Sequence, residues 1–194
     1  MDDIAKNPIR SLCVYCGSSP GGDPAFKRAA QKLGEELAGQ NLRLVYGGGD
    51  KGLMGALAES VLAHNGKVLG IIPDFLLKSE QGQQAQNIAG AEMVVVPDMH
   101  TRKRRMFEES DAFLAMPGGI GTLEELVEVL TWAQLRRHQK PVGLLNINEF
   151  WSPYVELVQH MSDAGFLHNP AEAMPQVFDQ AEDVVAGLFP LKVA

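Results

Sequence analysis

Three short stretches of this chain combine residue types that could bind a phosphate and act on the group attached to it. The first, Met99-His100-Thr101-Arg102-Lys103-Arg104-Arg105-Met106, sets consecutive cations at the start of a predicted helix. Positive charge there opposes the helix dipole at a cost of a few tenths to about 1 kcal/mol per group. The placement makes sense where an anion compensates, and guanidinium groups fork onto phosphate. A solvated basic face accounts for Arg104 and Arg105 better than for Arg102 and Lys103. The second stretch, Met116-Pro117-Gly118-Gly119-Ile120-Gly121-Thr122-Leu123-Glu124-Glu125, joins an apolar run to a helical pattern. Its glycines would let backbone N–H groups close on an anion. Thr122 and Glu125 also fit a T-x-x-E capping box, so the pattern leaves Glu125 open between cap and catalyst. Leu123, Leu126, Val127 and Leu130 mark the expected buried stripe, with Glu124, Glu125 and Glu128 off it.

The third stretch is Gly47-Gly48-Gly49-Asp50-Lys51-Gly52-Leu53-Met54-Gly55, with a literal G-x-G-x-x-G at Gly47, Gly49 and Gly52. A dinucleotide site wants that motif after the first strand and an acid about 20 positions on. Here it follows the second strand, and Asp74 is somewhat too far away. A nicotinamide-dependent oxidoreductase therefore rests on this motif alone, and a tight packing turn competes with phosphate binding.

These stretches need a scaffold, and short apolar runs alternating with helical periods supply one. Strands are expected at Ser11–Cys16, Leu42–Tyr46, Lys67–Ile72, Met93–Val96, Ala112–Met116 and Pro141–Asn146. Helices are expected from an Asp23 cap and Pro24, with Phe26, Ala29, Ala30, Leu33 and Leu37 on one face. Further helices fall near Leu53–His64, Met99–Glu109, Thr122–Arg137, Ser152–Met161 and Ala181–Leu188. Such alternation, with near-continuous apolar strands, predicts a single doubly wound, Rossmann-like α/β domain over residues 1–194, its mainly parallel sheet flanked by helices. Residues 1–9 read as a flexible arm. The Gln-rich connection Leu77–Ala91 reads as either a lid or a surface insertion.

Composition narrows the function classes. The 194 residues are 45% hydrophobic with a net charge of −7, which disfavours general attraction to nucleic acid or anionic membrane. No apolar run approaches a membrane span and no export signal opens the chain, so the cytoplasm is the expected location. Cys13 and Cys16 form a C-x-x-C inside a predicted strand, where residues i and i+3 point to opposite faces, so core packing is expected. The five histidines show no metal-ligand spacing. Trp132 could line a pocket or a subunit contact.

Met99-His100-x-Arg102-Lys103-x-x-Met106 followed by Pro117-Gly118-Gly119-x-Gly121-Thr122-x-x-Glu125 resembles the LOG (lonely guy) family, phosphoribohydrolases that activate cytokinins and were long mislabelled lysine decarboxylases. Cys16-Gly17-Ser18-Ser19-Pro20-Gly21 and the Gly47–Gly55 turn resemble it too, so the likeness runs from Ser11 to about Leu167. It implies hydrolysis of the N-glycosidic bond of N6-modified adenosine 5′-monophosphates or AMP, giving free base and ribose 5-phosphate. It also implies no metal or organic cofactor. Arg102 and Glu125 fall on the family's catalytic arginine and glutamate. Lys103, Gly119, Ile120, Gly121, Thr122, Leu123, Glu124, Thr131 and Glu80 fall on substrate-binding positions, to which Gly48, Gly49 and Met99 are added. The family's smaller members are homodimers whose active sites draw on both subunits.

On this basis Glu125 is expected to stabilise oxocarbenium-like charge at C1′ and deprotonate the attacking water. The helix starts after Gly49 and Gly121 would hold the phosphate, with Arg102 orienting substrate and Glu125. The competing expectation is a non-catalytic carrier of the same fold, such as a molybdenum-cofactor carrier, whose glycine turn is similar.

Overall fold

The computed structural model describes residues 11–79, 88–167 and 173–189. Glu80, the glutamines that follow it and the expected N-terminal arm lie outside the described residues. Seven strands form one sheet: β1 (Ser11–Tyr15), β2 (Arg43–Tyr46), β3 (Val68–Pro73), β4 (Glu92–Val96), β5 (Ala112–Ala115), β6 (Val142–Leu145) and β7 (Gln176–Phe178). The helices are α1 (Pro24–Gly39), α2 (Gly52–Ala63), α3 (Asp74–Ser79), α4 (Met99–Glu108), α5 (Ile120–Gln134), α6 (Ser152–Asp163) and α7 (Ala181–Leu188). Every strand pair is parallel, in the order β4-β3-β2-β1-β5-β6-β7.

Period-two alternation divides the core between the two faces of the sheet. Leu12, Val14, Leu44, Tyr46 and Leu114 pack with Leu33, Leu37, Leu57 and Val184 from α1, α2 and α7. Cys13, Tyr15, Val45, Ile71 and Phe113 pack with Met106, Leu126, Val129 and Trp151 on the other face. Cys13 and Cys16 accordingly lie in different halves of the core, both as free thiols. Burial pushes the Cys13 thiol up to about 12, with Glu125 adding to the shift, and raises Cys16 further, so neither is a thiolate nucleophile.

From β1 the chain steps outward through β2 and β3 to β4, then returns to place β5 on the other side of β1. The reversal of direction between β1 and β5 opens a crevice at their carboxyl ends, where open α/β sheets take ligands. The Asp23 cap forms as expected, its carboxylate accepting from Ala25 N at 2.8 Å. The short elements α3 and β7 were not anticipated. No helix of the described residues is long and apolar enough to cross a membrane.

Candidate active site

The cation run does not open its helix. Asp98 caps α4 by accepting from Thr101 N at 2.7 Å, which puts Arg102 at the fourth helical position and the rest beyond it. The dipole penalty expected for the run is therefore largely relieved, since that effect is concentrated in the first turn. Arg104 and Arg105 face solvent, and Arg105 pairs with Glu109 at 2.9 Å. Arg102 turns inward and is only 8% exposed. Its Nε donates to the Ile71 carbonyl at 3.1 Å and its Nη2 to the Gly47 carbonyl at 3.3 Å. These carbonyls lie near the carboxyl end of β3 and just past that of β2. Nη1 lies 3.2 Å from Glu125 Oε1 and 4.0 Å from the half-buried Met99 Sδ.

The capping box does not form, because α5 starts earlier than its sequence pattern implied. Gly119 occupies the cap position and accepts the first helical bond from Leu123 N at 3.1 Å. Thr122 is thus the third helical residue and Glu125 the sixth, a full turn from the cap. The buried stripe also differs from the expected one: it runs through Thr122, Glu125, Leu126, Val129 and Leu130, leaving Val127 exposed. Glu125 lies on the stripe and is 8% exposed. Burial pushes its carboxyl up to about 7. Arg102 and Lys103 pull it down, while Glu124 and Glu128 push it up.

Lys103 meets no open space awaiting an anion. Its ammonium lies 2.6 Å from Glu124 Oε1 and 3.2 Å from Glu128 Oε1. Burial works against its charge, but the hydrogen bonds it donates to both carboxylates outweigh that and raise its proton affinity. Sequence pattern missed Glu128 as a partner, though its i+4 relation to Glu124 was the available signal.

The two glycine turns serve different ends. A Cβ at Gly47 would overlap the Arg102 guanidinium, one at Gly52 the Ser18 carbonyl, and one at Gly55 the Asp50 carbonyl. Gly48 and Gly52 also hold left-handed φ of 79° and 61°. Leu53 N and Met54 N donate to the Gly17 carbonyl at 3.1 and 3.4 Å. The packing explanation therefore accounts for this turn. Its helix start spends these two amides on the Gly17 carbonyl. Gly48 is buried and Gly49 half-buried against Met54.

At Gly119 and Gly121 the position is reversed. A Cβ at either would meet nothing within 4 Å, and neither φ is left-handed. Nothing among the described residues requires glycine there. The amides of Ile120, Gly121 and Thr122, at the open end of α5, find no acceptor among the described residues. Gly118 and Thr122 are packing residues, because the Thr122 hydroxyl fills the space a Cβ at Gly118 would need. Arg102, Lys103, Thr122, Leu123, Glu124, Glu125 and Gly119 to Gly121 thus gather on the α4–α5 seam at the carboxyl edge of the sheet. Thr131 does not join them. It is exposed, its Oγ1 donates to Val127 O at 2.7 Å, and it lies about 9 Å along the axis from Glu125 on another side of α5. Trp132 is half-buried and packs edge-on against Phe107 with ring centroids 5.0 Å apart. No group of three or more His, Cys, Asp or Glu among the described residues could hold a metal ion.

Residues 54–188 match the protein family described as "Possible lysine decarboxylase". A probable cytokinin riboside 5′-monophosphate phosphoribohydrolase of Oryza sativa subsp. japonica is 42% identical over 183 residues, spanning 94% of this chain and 78% of that protein. A cytokinin riboside 5′-monophosphate phosphoribohydrolase of Arabidopsis thaliana is 41% identical over 187 residues, spanning 96% and 85%. Among solved structures, the molybdenum cofactor binding protein of Rippkaea orientalis superposes with a TM-score of 0.66 at 20% identity, covering 95% of this chain and 96% of that one. The molybdenum cofactor carrier protein of Chlamydomonas reinhardtii gives 0.65 at 18% identity, covering 93% and 96%. At those identities the likeness shows the fold alone.

Proposed function

The chain belongs to the family described as possible lysine decarboxylases, and we propose that it is a phosphoribohydrolase like the cytokinin-nucleotide hydrolases it is similar to. It hydrolyses the N-glycosidic bond of adenosine 5′-monophosphates, N6-modified or plain, to free base and ribose 5-phosphate. The observation that carries this reading is the buried Arg102–Glu125 pair beside the open amides of α5.

The 5′-phosphate sits against the Ile120, Gly121 and Thr122 amides, where glycines at 119 and 121 leave room and the helix dipole favours an anion. That contact fixes the sugar against Glu125. As the bond from C1′ to the base nitrogen breaks, its electron pair leaves with the base and positive charge develops on the ribosyl ring. The Glu125 carboxylate stabilises that charge and takes the proton from the attacking water, whose oxygen bonds to C1′. The proton passes to the departing base. Arg102, fixed by two strand-end carbonyls, holds the carboxylate in place through a charge-assisted bond.

The family's description would instead call for a lysine that forms a Schiff base. Such a lysine must be an unprotonated amine; Lys103, the lysine beside the Arg102–Glu125 pair, is instead paired with two carboxylates that raise its proton affinity.

The proposal includes a homodimer whose partner supplies Thr131, since that residue cannot reach its own chain's Glu125. A cytoplasmic location belongs to the same proposal and accords with two free, buried cysteines. Incubation with AMP and with isopentenyladenosine monophosphate should release free base. Glu125→Gln should keep the fold and lower turnover by about 10²- to 10⁴-fold. Wild-type turnover in a folded Glu125→Gln protein would overturn the scheme.

A further inference from the structure

Charge at the seam is already negative before any substrate arrives. Arg102 and Lys103 face Glu124, Glu125 and Glu128. A nucleotide phosphate then adds more negative charge at the start of α5, and a cation beside the α5 amides strengthens its grip. Arg102 is held in place, with Nε and Nη2 on the Ile71 and Gly47 carbonyls and Nη1 on Glu125.

Lys103 is placed differently. Its ammonium bridges two carboxylates of unequal exposure: the Glu124 side chain is 51% exposed and that of Glu128 is 27%. An ion pair to an exposed carboxylate contributes little, so water and an arriving anion compete with it readily. A lysine ammonium carries three donors on a flexible stem, so it can keep one partner while exchanging another. The Lys103 stem is itself mostly covered, its side chain 13% exposed along the seam.

We propose that Glu128 is a positioning residue that anchors Lys103 at the α4–α5 seam, while Glu124 yields the ammonium to the substrate's phosphate. The proposal rests on the nucleotide-binding function above and adds to it a residue that no sequence motif singled out. The exchange leaves the Arg102–Glu125 pair undisturbed, so the phosphate is gripped without drawing the counter-ion away from the reacting carboxylate.

Simple charge counting predicts the opposite result, and that makes the proposal testable. Removing the Glu128 charge makes the seam less negative and should tighten anion binding if Glu128 is only a nearby charge. Anchoring predicts weaker binding. Ribose 5-phosphate titrated calorimetrically into the full chain should bind Glu128→Gln about five- to tenfold more weakly than wild type, as for the loss of one charge-assisted contact. Glu124→Gln has the opposite sign, binding about two- to threefold more tightly because Lys103 no longer has to be released. With AMP as substrate, at a pH well above the Glu125 midpoint where that carboxylate is ionised in both proteins, the Glu128→Gln effect should fall on KM rather than kcat, and Glu128→Asp should recover part of it. Circular dichroism checks the fold. Should Glu128→Gln not fold, Glu128→Asp carries the test, with a smaller loss of affinity. Unchanged or tighter binding in a folded Glu128 variant would overturn the proposal, as would equal losses in both glutamine variants or no ribose 5-phosphate binding by wild type. If wild type binds ribose 5-phosphate yet releases no base from AMP, the hydrolase reading fails while the comparison of affinities still decides the role of Glu128.

Discussion

Burial holds the proton affinity of Glu125 up to about 7, and Arg102 at 3.2 Å works against burial. Its carboxyl therefore changes charge near neutral pH, where an ordinary glutamate is fully ionised. The scheme needs the ionised form, which predominates above that midpoint. It follows that kcat/KM for AMP should rise with pH through an inflection near 7 and then level off. Arg102 favours the charged form, so Arg102→Gln should move the inflection upward as well as lower the plateau. A pH–rate series on both proteins checks the sign, and a downward or absent shift would separate Arg102 from the control of Glu125. Lys103 pulls the same way, and Glu124 and Glu128 push against it. The Arg102 variant should nevertheless show the larger displacement, because Arg102 is the partner in direct contact.

The two glycine-rich turns look alike in sequence, and helix starts built on different demands set them apart. Gly52 combines a φ of 61° with a Cβ position already taken by the Ser18 carbonyl. Gly52→Ala should cost more than about 2 kcal/mol, read as a fall in thermal midpoint. Gly121→Ala places a methyl in open space at a helical position, where alanine is favoured by up to about 1 kcal/mol. The variant should be as stable as wild type or more so, and yet bind ribose 5-phosphate more weakly. This contrast was not legible in the sequence, because glycine spacing does not say what a missing side chain leaves room for. Longer elements were legible: the α1 cap and stripe and the apolar strands β1 to β6 follow directly from periodicity. Three-residue β7, with only Phe178 buried, is too short to carry a period. The α5 stripe was mistaken for a different reason: it was drawn through the apolar residues Leu123, Leu126, Val127 and Leu130, whereas the buried face includes the polar Thr122 and Glu125. A stripe read from apolar character alone leaves a buried carboxylate off it. The late motifs placed Arg102 and Glu125 in one site through family resemblance, but the carboxylates gripping Lys103 depend on how α4 and α5 face each other.

At the scale of the whole molecule, α5 is finished on its inner side and unfinished on its outer one. Ile120 is 82% exposed and Leu135 66%, and Val127 and Thr131 lie between them along the outward face. Leu157, Met161 and Phe166 are also exposed on or just after α6, which covers the same face of the sheet. In the proposed homodimer these exposed apolar residues would supply the docking face, since a twofold interface lets one patch cover its own copy. The pairing would also explain Thr131, which is too far round α5 to serve its own Glu125 and would instead reach the partner's substrate. A charge in the middle of that face separates interface from fold. Val127→Asp adds a carboxylate at an exposed position, so the chain should keep its circular dichroism and lose little stability. Light scattering after size exclusion should show a dimer for wild type and a monomer for the variant. Activity on AMP should fall with the dimer fraction and return as protein concentration is raised. A monomeric variant with full turnover would mean that each chain completes its own site and that Thr131 takes no part in it.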